Sequence, residues 1–171
     1  MAIKGIIFDN QPPTAKGLRG GFHSALSDGI IDGCNITASG SNVTITSGLM
    51  NVAGGIFAIT GTQTIAIERN TGYARIKAVL DLSKTATTEQ FGQVYFAVDY
   101  ANALTTFTNL VQQDVNTGSG TLYEAEICTI ALGSSGATGV ARKYIAAPRI
   151  RYGDVLPDDA TEGTIFLLKA D

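Results

Sequence analysis

The sequence predicts an all-β fold, a β-sandwich or jelly-roll-like domain with a short N-terminal arm and helix, and three observations carry that expectation. From Asp28 to Ile67, short apolar segments alternate with Gly, Ser and Asn at intervals of roughly eight residues, the rhythm of short strands joined by turns. Charged residues make up only 16% of the chain while Gly reaches 20 and Thr is frequent, a composition that favours an ordered β-rich protein over disorder. Strict apolar–polar alternation recurs in NVTIT (42–46) and GYARIKAVLDL (72–82), the period of a half-buried strand.

Taken in order, residues 1–27 read as an arm with a short helix and 28–171 as the β domain. Within the arm, IKGIIF is strand-like and the paired prolines of DNQPP remove ladder donors. From Thr14 to Leu26, Ala15, Leu18, Phe22 and Ala25 or Leu26 fall at helical spacing behind Thr14 as N-cap. Gly17, Gly20 and Gly21 each weaken this helix by about 1 kcal/mol relative to Ala, so it needs a surface to dock on. Asp28-Gly29 ends it.

A meander follows. Val43 and Ile45 share one face of the 42–46 strand, and Leu49–Ala53 and Ile56–Thr60 flank Gly54-Gly55, a pair suited to a primed hairpin turn. Thr62–Ile67 continues it. In 72–82, Ala74, Ile76, Ala78 and Leu80 form a buried face, opposite a wetter face of Tyr73, Arg75, Lys77, Val79 and Asp81. Phe91–Tyr100 is a further strand, with Val94, Phe96 and Val98 on one side. Residues 101–120 read as a long loop or partly paired excursion, Leu122–Leu132 as a strand, and GSSGATG (133–139) as a flexible loop. Tyr144–Tyr152 is a strand interrupted at Pro148, and Ile165–Leu168 a last apolar segment.

Charge and composition narrow the function. A formal net charge of −3 provides no field to attract nucleic acid or an anionic membrane. Gly48–Ile67 has no charged residue and is long enough for a bilayer. Its polar Asn51, Thr60, Thr62, Gln63 and Thr64, with glycines at 54, 55 and 61, fit three strands better, so no membrane insertion is expected. MAIKGIIFDN lacks the apolar length and cleavage region of a secretory signal. Cys34 and Cys128, far apart and without metal-type spacing, read as small buried hydrophobes.

Residues with chemical capacity are few. His23, the single histidine, stands beside Ser24, and adjacent helical residues do not face each other. Glu124 and Glu126 alternate in one strand, about 7 Å apart on the same face. That is compatible with a glycosidase pair, but two solvated residues beside Lys or Arg are the favoured reading. Asp158-Asp159 before Glu162 lacks the calcium-loop pattern, and GSSGATG lacks the Lys-Ser/Thr of a phosphate loop. The matches Asn35-Ile36-Thr37 and Asn42-Val43-Thr44 to a glycosylation sequon arise readily in Thr-rich strands. Tyr73, Tyr95, Tyr100, Tyr123 and Tyr152 are candidate stacking platforms or interface anchors. No catalytic, cofactor-binding or metal-ligating set is expected. Leu18, Phe22 and Leu26 are the protein-interface candidates.

Two stretches carry a family resemblance. TAKGLRGGFHSALSDGIIDGCNITASGSNVTITSGLMNVAGGIFAI (14–59) resembles the N-terminal pattern of tail and baseplate structural proteins from phages and prophages of Gram-positive bacteria. RYGDVLPDDATEGTIFLL (151–168) is similar to an ending seen in phage tail-fibre and baseplate chains. LVQQDVNTGSGTLYEAEICTIAL resembles a middle strand of such proteins. The resemblance implies a virion protein assembled in the bacterial cytoplasm, a homo-oligomer with a trimer favoured, contacting other tail or baseplate proteins and carrying no catalytic residues. A chain that stops at the second motif points to a compact component rather than a whole fibre. The alternative expectation is a carbohydrate-binding, receptor-reading module of a phage tail, with host cell-wall sugar as partner. An enzyme using Glu124 and Glu126 ranks third.

Overall fold

In the computed structural model of the protein, the described residues are 14–86, 92–147, 150–153 and 165–168. The arm at 1–13, the start of the Phe91 strand, the break at Pro148, the Asp158-Asp159 turn and most of the 151–168 motif lie outside them.

Helix α1 (Ala15–Ala25) starts where expected, with the Thr14 hydroxyl accepting from the Gly17 N–H at 3.1 Å. The strands after it are β1 (Gly29–Gly33), β2 (Ile36–Ser39), β3 (Asn42–Ile45), β4 (Gly48–Val52), β5 (Gly55–Ile59) and β6 (Gln63–Ala66). The longer strands are β7 (Gly72–Asp81), β8 (Val94–Ala101), β9 (Leu122–Gly133) and β10 (Gly136–Lys143). The last two are β11 (Ile150–Gly153) and β12 (Ile165–Leu168). The fold is all-β and sandwich-like, with three antiparallel sheets of order β1-β4-β5, β2-β3-β6 and β10-β9-β7-β8. β11 and β12 form a parallel pair.

The 28–67 segment is not a simple meander. The chain alternates between two sheets, so β4 pairs with β1 and β5 while β3 pairs with β2 and β6. Non-local pairing lets both short sheets turn an apolar face to one core. That core joins Val43, Ile45, Met50 and Val52 to Ala74, Ile76, Ala78 and Leu80 of β7 and to Ala125, Ile127, Cys128 and Ile130 of β9. The uncharged Gly48–Ile67 stretch is strands β4 to β6, and no helix among the described residues is long and apolar enough to cross a membrane.

Three local expectations are corrected. The β4–β5 hairpin turn is Ala53-Gly54, not Gly54-Gly55: Val52 pairs with Gly55, and φ is 49° at Ala53 and 80° at Gly54, as a type I′ turn requires. Ala53 holds this unfavourable conformation because its N–H donates to Asp28 Oδ1 at 2.7 Å and its carbonyl accepts from Asn116 Nδ2 at 2.9 Å. GSSGATG is not a flexible loop. Gly133 pairs with Gly136 across a two-residue turn and the rest starts β10. Tyr144–Ala147, expected as the first part of a strand interrupted at Pro148, forms an isolated bridge and not a strand. It bridges in parallel to Ile30, which donates to the Tyr144 carbonyl at 3.1 Å and accepts from the Ala146 N–H at 2.8 Å.

β9 contains a bulge. Ile76 pairs with Cys128 but Lys77 pairs with Glu126, leaving Ile127 as the extra residue. Both Ile127 and Cys128 therefore reach the core, and Thr129 takes the opposite face beside Arg75.

Candidate functional site

Two places gather exposed or chemically capable side chains, one on each side of the four-stranded sheet. The first is built by α1. Gly54 lies so close to the Arg19 carbonyl and His23 N–H that a Cβ there would collide with both. The helix is thus seated through its backbone on the β4–β5 turn. It is also tethered to the 114–118 turn, where Lys16 Nζ donates to the Gly118 carbonyl at 2.7 Å. Within that turn, hydrogen bonds from the Thr117 hydroxyl and N–H hold the Asp114 carboxyl at about 2.

No residue of α1 is fully buried, although Leu18, Arg19 and His23 are half-buried. Ala15, Leu18 and Phe22 face Ile56, Phe57 and Leu80 across an apolar cleft of about 340 Å³. Phe22 is 43% exposed and Ile56 44%. Leu49, 38% exposed, lies on the same face of the β4–β5 pair as Ile56, because Asn51 pairs with Ile56 and Leu49 lies two residues before Asn51, which is itself buried with its Nδ2 donating to the Ser27 carbonyl at 3.0 Å. Of the three interface candidates, Leu18 and Phe22 line this cleft together. Leu26 does not: it is the C-cap, half-buried, with its N–H donating to the Phe22 carbonyl at 2.8 Å.

The second place lies on the other face of β7. That face was expected to be wetter, and it is buried. Arg75 is 4% exposed and Lys77 7%. Lys77 Nζ donates to Glu124 Oε1 at 2.7 Å and sits 3.0 Å from Asp99 Oδ2, while Arg75 Nη2 donates to Asp99 Oδ2 at 2.7 Å. Arg75 also donates to the Thr108 carbonyl at 2.8 Å and stacks on Phe107, 4.8 Å from the ring centre. The cover is the 101–120 excursion, which pairs with the first half of β9, where β10 leaves it open: Gln112 bridges Tyr123, and the Glu124 N–H donates to the Val111 carbonyl at 2.7 Å.

Glu124 and Glu126 are accordingly not solvated. Glu124 is fixed by Lys77 and by the Val111 N–H, which donates to its Oε2 at 2.9 Å. Glu126 has a looser environment, with Arg75 Nη1 4.0 Å away. Burial pushes its carboxyl up, against Arg75, a hydrogen bond from Tyr144 and Arg142, all of which pull it down. Between the excursion and β7, β9 and β10 lies a cleft of about 410 Å³ lined by Arg75, Phe107, Gln112, Glu126, Thr129 and Arg142 among others. Sequence reasoning missed this cleft. Its signal is the spacing of polar residues in β9, two apart at Glu124 and Glu126 and then three to Thr129, which marks the bulge that brings Thr129 onto the Glu126 face.

The remaining candidates are dispersed. His23 packs edge-on against Tyr123 at 6.0 Å, and Ser24 Oγ donates instead to the Gly20 carbonyl at 2.9 Å. Tyr123 donates to Asp28 Oδ2 at 2.9 Å and Tyr100 accepts from the Glu68 N–H at 2.8 Å, so these two rings are engaged at separate places. Cys34 and Cys128 are buried free thiols. Burial first, and then the charge of Glu126, raises Cys128 to about 12. No family model matches this chain, and no curated protein matches it either.

Proposed function

We propose that the chain is a non-enzymatic structural subunit of a phage tail or baseplate, assembled as a homo-oligomer with a trimer favoured, and joined to its copies through the α1–β5 face. The single observation that carries the assembly is the uncovered apolar cleft between α1 and β5, with Phe22 43% and Ile56 44% exposed over it. Large exposed side chains converging on one cleft are the mark of an interface, and covering the exposed remainder of Leu18, Phe22 and Ile56 contributes about 0.5–1.5 kcal/mol per side chain. A second copy is the occupant because the patch is mostly apolar: Phe22, Leu49 and Ile56 dominate it, with Arg19 the one charged side chain in the cleft lining. The phage assignment rests on the resemblance of 14–59 and 151–168 to tail and baseplate chains, and the all-β fold is in keeping with it.

Lysine-directed cross-linking of the purified protein tests the assembly. Discrete dimer and trimer bands that vanish in Phe22→Asp support it. An unchanged ladder in Phe22→Asp, or no ladder in the native chain, speaks against it.

A further inference from the structure

We propose that the outer edge of β8 is a docking site for an added strand, and that its occupant is residues 3–8 of the chain's own arm, IKGIIF, running antiparallel to β8. The four-stranded sheet ends differently on its two sides. β10 is a blunted edge: its pairing shifts register twice, and its Ala137 N–H donates to the Gly40 carbonyl after β2 at 2.6 Å. β8 has no such protection. It pairs with β7 from Val94 to Ala101 without a bulge and contains neither proline nor lysine. Among the described residues, no backbone group bonds to its other side. An open, regular edge of this length is a template for another strand. Val94, Phe96, Val98 and Tyr100 alternate along β8 and so share one face. They pack against the core yet are only half-buried, and an added strand covers that rim.

Reach, direction and charge choose the occupant. Residues 1–13 lie outside the described residues, and the chain enters α1 at Ala15, which lines the same cleft as Gln93 and Val94 at the start of β8. Residues 9–13, when extended, span about 17 Å, enough to cross that cleft. A strand entering from there runs from Phe8 back to Ile3 as β8 runs from Val94 to Ala101, which makes the pair antiparallel. Asp99 sets the register. Its side chain is 25% exposed, and both of its cations, Arg75 and Lys77, contact Oδ2, which leaves Oδ1 for a further donor. Lys4, the single charged residue of IKGIIF, supplies that donor when it stands opposite Asp99. The same register sets Ile3 opposite Tyr100 and Ile7 opposite Phe96, apolar pairs on the half-buried face. The pairing lies within one chain, so it does not depend on the assembly of copies.

Hydrogen exchange of the full chain, read residue by residue by NMR, tests the pairing. In a strand paired on one side only, every second amide is left to water. With the arm in place, all the amides of 95–100 are expected to be protected. Ile7→Pro removes a ladder donor and is expected to speed exchange of the alternate, outward amides at least tenfold. Lys4→Glu is expected to act in the same direction and Lys4→Arg to leave the protection intact. The amides that β7 shares with β9 report the fold and are expected to exchange alike in every variant. A nitroxide on Ala2→Cys, in a chain mixed with an isotope-labelled native chain, is expected to broaden no β8 resonance of the native partner. Three results overturn the inference: alternate β8 amides that exchange unprotected in the native chain; protection that Ile7→Pro leaves unchanged, which gives the edge to another occupant such as the β8 of a second copy; or broadening that passes between chains, which places the arm on a neighbour.

Discussion

Gly54 is pressed against the backbone carbonyl of Arg19, in a contact that no side chain at position 54 could share. One glycine thus decides how the helix meets the sheet, and because the contact is backbone to backbone, the apolar side chains of α1 remain outside. Gly54→Ala adds a methyl group at φ 80° and drives it into the helix. The expected loss is about 2–4 kcal/mol, from left-handed strain and overpacking together. Gly55→Ala, whose nearest neighbour is the Val52 carbonyl at 3.1 Å and whose φ is not positive, is expected to cost under about 1 kcal/mol. Urea denaturation of the pair checks the contrast.

Asp28 links the hairpin turn to the long sheet. One oxygen accepts from the Ala53 N–H at 2.7 Å and the other from the Tyr123 hydroxyl at 2.9 Å. Asp28→Ala strands both donors and is expected to cost about 2–4 kcal/mol, and Tyr123→Phe about 1 kcal/mol. A double-mutant cycle is expected to return a coupling of about 0.5–1.5 kcal/mol. Additive losses would mean that the two residues act independently.

The buried ion pairs make stability depend on pH with opposing signs. For Asp99, burial pushes the carboxyl up, but hydrogen bonds and charge from Arg75 and Lys77 outweigh it and leave the pKa lowered. Its stabilisation is present above the unfolded carboxylate value and lost as pH falls through the lower folded one. For Glu126 the shift is upward, so its contribution is present at low pH and lost as pH rises through the folded value. Asp99→Asn is therefore expected to flatten the acid limb of the melting profile, measured by calorimetry between about pH 7 and pH 3. Glu126→Gln is expected to steepen that limb. The same direction of change in both variants would contradict the assignment.

Lys77 holds Asp99 and Glu124 together. Lys77→Met leaves a buried carboxylate uncompensated and is expected to cost about 3–5 kcal/mol at neutral pH. The loss shrinks on acidification as Asp99, whose pKa Lys77 helps to lower, takes up its proton. Chemical denaturation at two pH values reads this directly.

Cys34 and Cys128 are both 0% exposed, and burial holds Cys128 at about 12. Neither thiol is expected to react with a disulfide reagent in the native chain, because the thiolate is the nucleophile. Both react once the chain is unfolded. Rapid native-state labelling of Cys128 would show that the core around β9 opens.

The all-β class, the Thr14 cap and strands such as 42–46 and 72–82 were legible because period and capping are local properties. The meander expectation failed because strand partners are chosen by burial across the whole chain: β4 takes β1 and β5, with β2 and β3 threading between. The turn shifted by one residue to Ala53-Gly54 because Asp28 and Asn116 bond both backbone groups of Ala53, partners no window of sequence contains. Arg75 and Lys77 read as solvent-facing for the same reason, since their cover comes from the 101–120 excursion. That Leu18 and Phe22 share one face of α1 was legible from helical spacing alone, and both line the same cleft. The cleft at Glu126 and Thr129 was not: the spacing in β9 marks its bulge, but its other wall comes from the 101–120 excursion, which no window of sequence places there.

Solution mass, measured by light scattering across a range of concentrations for the native chain and for the Phe22→Asp, Ile56→Asp double variant, tests assembly through the α1–β5 face most directly. A closed oligomer of the native chain, three subunits first, that falls to a folded monomer in the variant is the expected result. A native chain that stays monomeric at every concentration, or an oligomer that the two substitutions leave intact, would contradict it.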